Sequence, residues 1–269
     1  ANGSTGYFCN YVITRFLQDE AFGQTAAERE HLLKTGGLTI RTTLDPAKQQ
    51  AAYAALTSAI PVDDPSDVDD ALVSLIPSTG AIVAMAQNTT YGVEAGQTMS
   101  SYAADGQFQI GSTFKVFTLA EWFKEGHSAY ETVGSTNRNY GSGAFRCGGT
   151  PIGTEPWRVE DLAGKDGPMN VVKATGLSVN QAFVNMASRV DFCQIFQTAA
   201  DMGITENGET IAALPANIIG SSSASPLQVA SAFAVFDNGG LLCEPMSIST
   251  VTDRDENTVK EFAPNCSQV

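Results

Sequence analysis

Hydrophobic periodicity sets the first elements. In YFCNYVITRFLQD, Phe8, Tyr11, Val12, Phe16 and Leu17 recur near the helical period, which predicts a helix; AAEREHLL predicts a short second one. The period then changes. In GGLTIRTTL, Leu38, Ile40, Thr42 and Leu44 alternate onto one face, as in a half-buried strand, and Asp45-Pro46 supplies a helix cap and first-turn proline for AKQQAAYAALTSAI. PVDDPSDVDD is acidic and proline-punctuated, a solvated loop that lacks the glycine and closing Glu of a calcium loop. Two apolar, β-branched runs in ALVSLIPSTGAIVAMAQ flank Pro77-Ser78-Thr79-Gly80 and predict an antiparallel hairpin.

GSTFKVFTLAEWFKEG is a strongly apolar helical stretch ending at Gly126. A loop-rich region follows, from about Tyr130 to Asp166. Helical patterns resume in MNVVKATG, NQAFVNMASRV, CQIFQTAADMG and SPLQVASAFAVFDNGG, and MSISTVTD and TVKEF predict two late strands. Strands, then helices, then strands favour an α+β fold, with a helical portion against a sheet.

Composition narrows the function classes. With 43% hydrophobic and 16% charged residues over 269 positions, the chain suits a globular enzyme. A formal net charge of -14 with no Lys/Arg cluster excludes a nucleic-acid partner, because a polyanion is repelled and no counterion release is on offer. No run approaches the length needed to cross a bilayer. Cys9, Cys147, Cys193, Cys243 and Cys266 form no C-x-x-C or Cys/His cluster, and His31 and His127 have no partners at metal-ligand spacing, so no zinc site is expected. An odd cysteine count suggests one free thiol or an external partner.

The candidate chemistry lies in Gln109-Ile110-Gly111-Ser112-Thr113-Phe114-Lys115. Residues three apart on a helix share a face, so Lys115 can bring its amine to the Ser112 hydroxyl. A serine needs a base to take its proton, and a lysine serves only when its pKa falls, which burial among Phe114, Val116, Phe117 and Leu119 would promote. Gly111 permits close backbone approach, and free N–H groups at the helix start can polarise a carbonyl. Alone, Ser-x-x-Lys is a weak signal, compatible with an ordinary amphipathic helix. Ser178-Val179-Asn180 lies downstream, where a hydroxyl and an amide can relay a proton and bind a substrate amide; it could equally cap the helix NQAFVNMASRV. A Ser-His-Asp triad fits poorly, since nothing marks a partner for His127.

Three blocks in this order, GGLTIRTTLDPAKQQAA, QIGSTFKVFTLA and ATGLSVNQAFVNMA, resemble the transpeptidase domain of class A penicillin-binding proteins, most of all the actinobacterial ones. A fourth, SSSASPLQVASAFAVFDNGG followed by PMSIS, is similar to the stretch before that family's Lys-Thr-Gly strand. The resemblance implies a penicillin-binding protein and serine β-lactamase-like α+β fold, an antiparallel sheet packed with helices plus a helical subdomain. It implies a linker and N-terminal helical segment over 1–36, leading from an upstream domain, and a transpeptidase domain over 37–269. It implies Ser112 as the nucleophile, with its backbone N–H in the oxyanion hole, Lys115 as general base, Ser178 as proton shuttle, and Asn180 hydrogen-bonding substrate and network. Expected partners are peptidoglycan stem peptides ending in D-Ala-D-Ala, with β-lactams as covalent inhibitors; no cofactor or metal is implied. The setting would be the extracytoplasmic face of the bacterial membrane.

The chain also departs from the family. Gln107-Phe108-Gln109-Ile110 replaces the Arg and Pro usual before the nucleophile, and Val179 replaces a polar centre. The family's glycosyltransferase domain is missing. No Lys-Thr-Gly follows Asn180 before Val269, and the earlier Lys34-Thr35-Gly36 is expected to end a helix rather than serve the site. These absences raise the expectation of a companion C-terminal fragment carrying Lys-Thr-Gly. Cys243 and Cys266 bracket the late strands and are candidates to pair in an oxidising exterior, a question the sequence leaves open. A β-lactamase would need a deacylating Glu, for which Glu155 and Glu160 lie in the right interval. A D,D-carboxypeptidase would use the same residues, and a non-catalytic sensor or scaffold would bind without turnover.

Overall fold

The computed structural model describes residues 3–135, 138–160 and 167–269. The helices in chain order are α1 (Gly6–Gln18), α2 (Ala26–Thr35), α3 (Pro46–Ala59), α4 (Tyr102–Asp105), α5 (Lys115–Lys124), α6 (Val171–Gly176), α7 (Asn180–Ala187), α8 (Phe192–Asp201) and α9 (Pro226–Asp237). The principal strands are β1 (Thr39–Thr42), β2 (Ala71–Leu75), β3 (Ile82–Gln87), β4 (Phe108–Gln109), β5 (Ser223–Ala224), β6 (Leu241–Cys243), β7 (Ile248–Thr252), β8 (Thr258–Glu261) and β9 (Cys266–Gln268). Backbone contacts divide them into two compact units, one of residues 1–107 and 225–269, the other of residues 108–224.

The first unit is the sheet-bearing one. β1, β7 and β8 form an antiparallel sheet with Ile40 opposite Val251 and Val251 opposite Lys260, while β2 and β3 form the hairpin expected from the sequence, Val73 opposite Met85. Gly80 closes that hairpin at φ +70, where a β-carbon would collide with the Glu244 carbonyl, and Ile82 N–H donates to Met246 O at 2.8 Å. Every residue of β3 is buried. The side of Met85 that faces away from β2 is served by a side chain: Gln49, on α3, donates to Met85 O (2.9 Å) and accepts from Met85 N–H (2.8 Å), as a neighbouring strand would.

Local signals explain the helices. Asp45 accepts from Ala47 and Lys48 N–H with Pro46 in the first turn of α3, and Thr25 with Glu28 makes a reciprocal capping box on α2. On α1, Phe8, Val12 and Phe16 line one face and enter a core with Ile82, Met85, Leu227, Ile248 and Val251. Phe16 stacks on Phe22 with ring centroids 4.0 Å apart.

The second unit is helical. Phe114 and Phe117 on one side and Phe192 and Phe196 on the other pack at centroid spacings near 5 Å, joined by buried Trp122, Phe183 and Met186. The stretch MNVVKATG differs from its expected helix: Met169 and Asn170 pair antiparallel with Val133 and Thr132, and the helix begins at Val171 with Asn170 as its cap. The region from Tyr130 to 160 contains short hairpins such as Arg146–Cys147 with Thr150–Pro151; positions 136–137 and 161–166 lie outside the described residues.

Four cysteines pair. Cys243–Cys266 crosslinks β6 to β9 in register, and Cys147–Cys193 ties the Arg146–Cys147 strand to the start of α8 across 46 residues of sequence. Cys9 is the free thiol. Pairing reflects proximity that only the tertiary fold creates.

Closing a loop of that length restricts the unfolded chain, so Cys147→Ala/Cys193→Ala should lower unfolding free energy by about 2–4 kcal/mol in urea titrations under oxidising conditions. An unchanged midpoint would mean the bond does not form in solution. A second expectation concerns Asp19. Burial pushes its carboxyl up, but hydrogen bonds from Lys260 and Ala21 N–H and the Lys260 charge outweigh this and hold it below the usual carboxylate range. Its stabilisation is complete above the ordinary Asp pKa and is lost as pH falls through the lowered one. Asp19→Asn should therefore reduce Tm at pH 7 and much less near pH 2; an equal loss at both would contradict the ion pair.

Candidate active site

Gly111 adopts φ +60 and turns the chain into a short 3-10 segment, Gly111–Phe114, which leads directly into α5. Phe114 and Phe117, fully buried, anchor that segment. Ser112 is left exposed above it, and Lys115, one turn on, is 4% exposed. The amine of Lys115 lies 3.1 Å from Ser112 Oγ, 3.0 Å from Ser178 Oγ, 2.7 Å from Ser178 O and 2.6 Å from Asn180 Oδ1. It also sits 5.6 Å from the centre of the Phe183 ring. The four residues singled out from the sequence thus meet at one nitrogen.

An ammonium has three N–H donors, and four oxygens surround this one. A neutral amine instead has two N–H donors and one lone pair, and in that state Ser112 O–H can donate to the nitrogen while two of the other oxygens accept from it. That orientation is the one a nucleophilic serine requires.

The turn between α6 and α7 presents Ser178 and Asn180. Ser178 N–H donates to Thr175 O (3.0 Å) and Val179 N–H to Ala174 O (3.0 Å), while Ser178 takes a left-handed φ of +52. This conformation is uncommon for a non-glycine residue and aims both its carbonyl and its hydroxyl at Lys115. Neither Ser178 nor Asn180 caps α7: the cap position is Val179, which has no side-chain hydrogen bond to the helix. Asn180 instead donates through Nδ2 to Glu160 O at 3.3 Å, which fixes its Oδ1 toward Lys115.

A strap holds the Ser112 turn from the other side. β4 and β5 pair antiparallel, Ile110 N–H donates to Ser222 O (2.9 Å), and Gly111 N–H donates to Gly220 O (2.8 Å). Thr113 Oγ donates to Ile110 O at 2.6 Å. Neither Gly220 nor the Ser178 carbonyl is signalled in the sequence, because both act through backbone placed by distant residues.

Other candidates stand apart. His127 stacks on Trp122 (3.9 Å) and contacts Glu131 through Nδ1 at 3.1 Å, a packing role. Glu160 is exposed and pairs with Arg158 at 3.1 Å, so its carboxylate has a partner other than the Ser112 hydroxyl. Lys34 ends α2 in an ion pair with Glu30 (2.5 Å). Among the described residues no group of His, Cys, Asp or Glu is arranged to hold a metal, and no helix is long and apolar enough to cross a membrane.

Comparison with known proteins agrees with the geometry. A family model described as the penicillin binding protein transpeptidase domain matches residues 71–268. Penicillin-binding protein 1A of Aquifex aeolicus is 24% identical over 204 residues, covering 76% of this chain and 26% of its own length. Penicillin-binding protein 2D of Bacillus subtilis is 25% identical over 237 residues, 88% of this chain and 32% of that protein. The chain thus spans a quarter to a third of these relatives. Among solved structures, the PonA1 protein of Mycobacterium tuberculosis in complex with penicillin V superposes with TM-score 0.73 at 22% identity, covering 94% of this chain and 65% of that one. Fold, family model and relatives coincide over most of the sequence, and the chain belongs to the penicillin-binding protein transpeptidase-domain family.

Proposed function

We propose that the protein containing this chain is a peptidoglycan D,D-transpeptidase acting through an acyl-enzyme on Ser112. The observation that carries the reading is the convergence of Ser112, Ser178 and Asn180 on the buried amine of Lys115. Neutral Lys115 takes the Ser112 proton as Oγ attacks the carbonyl of the penultimate D-Ala. The C–N bond then breaks, the departing D-Ala amine receives a proton relayed through the Ser178 hydroxyl, and an ester remains on Ser112. An amine of a second stem peptide attacks that ester, forms the cross-link and frees Ser112. The Ser112 backbone N–H, at the start of the short helix, stabilises the oxyanion, and Asn180 bonds the substrate amide. β-Lactams would acylate the same hydroxyl.

Two features of the first unit support a further segment carrying Lys-Thr-Gly. β2 is an outer strand with no partner on its far side among the described residues, and α9 leaves Phe233 and Phe236 exposed at 42% and 48%. Added strands beside β2 would cover that apolar face. Two disulfides suit an oxidising, extracytoplasmic setting.

The test uses the full-length protein and a peptide ending in D-Ala-D-Ala, following D-Ala release and transfer to an added acceptor amine. Ser112→Ala should abolish both, and Lys115→Ala should slow release by roughly 10²–10⁴-fold with the fold retained. Ser178→Gly keeps the carbonyl contact and tolerates the left-handed backbone, so its loss reports the hydroxyl alone. Wild-type rates in Lys115→Ala would remove the lysine from the base role, release without transfer would favour a carboxypeptidase, and rapid loss of a fluorescent penicillin label would favour a β-lactamase.

A further inference from the structure

Gly220 stands apart from the other glycines of the second unit. Its φ is +83, and a β-carbon built on it would lie 2.5 Å from Gly111 N and closer still to the Gly111 carbonyl carbon and oxygen. The neighbouring backbone groups are already bonded, Gly111 N–H to Gly220 O at 2.8 Å. No side chain fits between the two residues.

The crowded atoms matter because of what shares their peptide unit. The Gly111 carbonyl and the Ser112 N–H belong to one planar amide and point in opposite directions. Whatever fixes that carbonyl fixes the N–H. We infer that Gly220 is a positioning residue for acylation: by packing its bare Cα against the Gly111 carbonyl, it sets the orientation of the Ser112 N–H that stabilises the oxyanion. This rests on Ser112 being the acylated nucleophile.

The device is braced at both ends. Glu206, at the edge of a small hairpin, accepts from Ser223 N–H at 2.9 Å, and Asn217 accepts from the Ser221 hydroxyl. β5 in turn pairs with β4, so the strap is held on either side of the contact. A β-carbon built on Gly111 would meet nothing within 4 Å, so the crowding runs one way, from Gly220 onto the Gly111 peptide.

A matched control exists. Gly126, in the same unit, has nearly the same backbone, φ +85, but nothing within 4 Å of a built β-carbon. Gly126→Ala and Gly220→Ala therefore share the conformational penalty of an alanine at positive φ, and only the second strikes Gly111. The full-length protein is mixed with a fluorescent penicillin in stopped flow, giving the encounter constant, the acylation rate constant and the final labelled fraction. Gly220→Ala should lower the acylation rate constant roughly tenfold to a hundredfold with the encounter constant little changed, while Gly126→Ala acylates at the wild-type rate. Should Gly220→Ala fail to fold, Glu206→Ala loosens the same strap without adding atoms: its acylation should slow, and Glu206→Gln, which keeps an acceptor oxygen, should recover most of the rate.

Equal slowing in the Gly126 and Gly220 variants would overturn the inference, as would a reduced labelled fraction that still acylates at the wild-type rate, or wild-type acylation in Glu206→Ala. Wild-type protein that takes no label on Ser112 would overturn the functional reading first and this one with it.

Discussion

One primary amine organises the candidate site. Lys115 is 4% exposed, with its Nζ 5.6 Å from the centre of the Phe183 ring, yet that nitrogen touches four oxygens from three residues on two separate turns. A buried ammonium without such partners would be costly, so the oxygens and the burial depend on each other. The same oxygens give a proton somewhere to go. The helical unit can be understood as the frame that keeps this nitrogen in place: α5 carries it, the α6–α7 turn supplies Ser178 and Asn180, and Glu160 O orients the Asn180 amide.

That frame relies on backbone placed in uncommon conformations. Gly111 and Ser178 both lie at positive φ, one on each side of the lysine. The left-handed Ser178 presents hydroxyl and carbonyl together, which an extended or helical residue could not do in this turn. The strain is held by neighbours on regular structure, α7 beyond Ser178 and the β4–β5 pair before Gly111.

Much of this was legible where the physics is local. Phe8, Val12 and Phe16 announce α1 because helical spacing places them on one face, and Asp45-Pro46 announces α3 because a cap acts within four residues. Ser112 and Lys115 were legible for the same reason, being one helical turn apart. Ser178 and Asn180 could be paired with them from sequence only through the family resemblance, since 63 residues separate Lys115 from Ser178. Features set by distant partners stayed hidden: Met169 and Asn170 form a strand because Thr132 and Val133 lie alongside, Cys147 finds Cys193 only in the fold, and Gly220 reads as an ordinary turn residue until Gly111 is placed against it.

Mapping the covalent adduct tests most directly whether Ser112 is the single acylated residue. The full-length protein is reacted with penicillin, digested, and the mass of each peptide measured. The penicilloyl mass is expected on the peptide containing Ser112 and on no other. An adduct on Ser178 or elsewhere, or no adduct on folded protein, would contradict it.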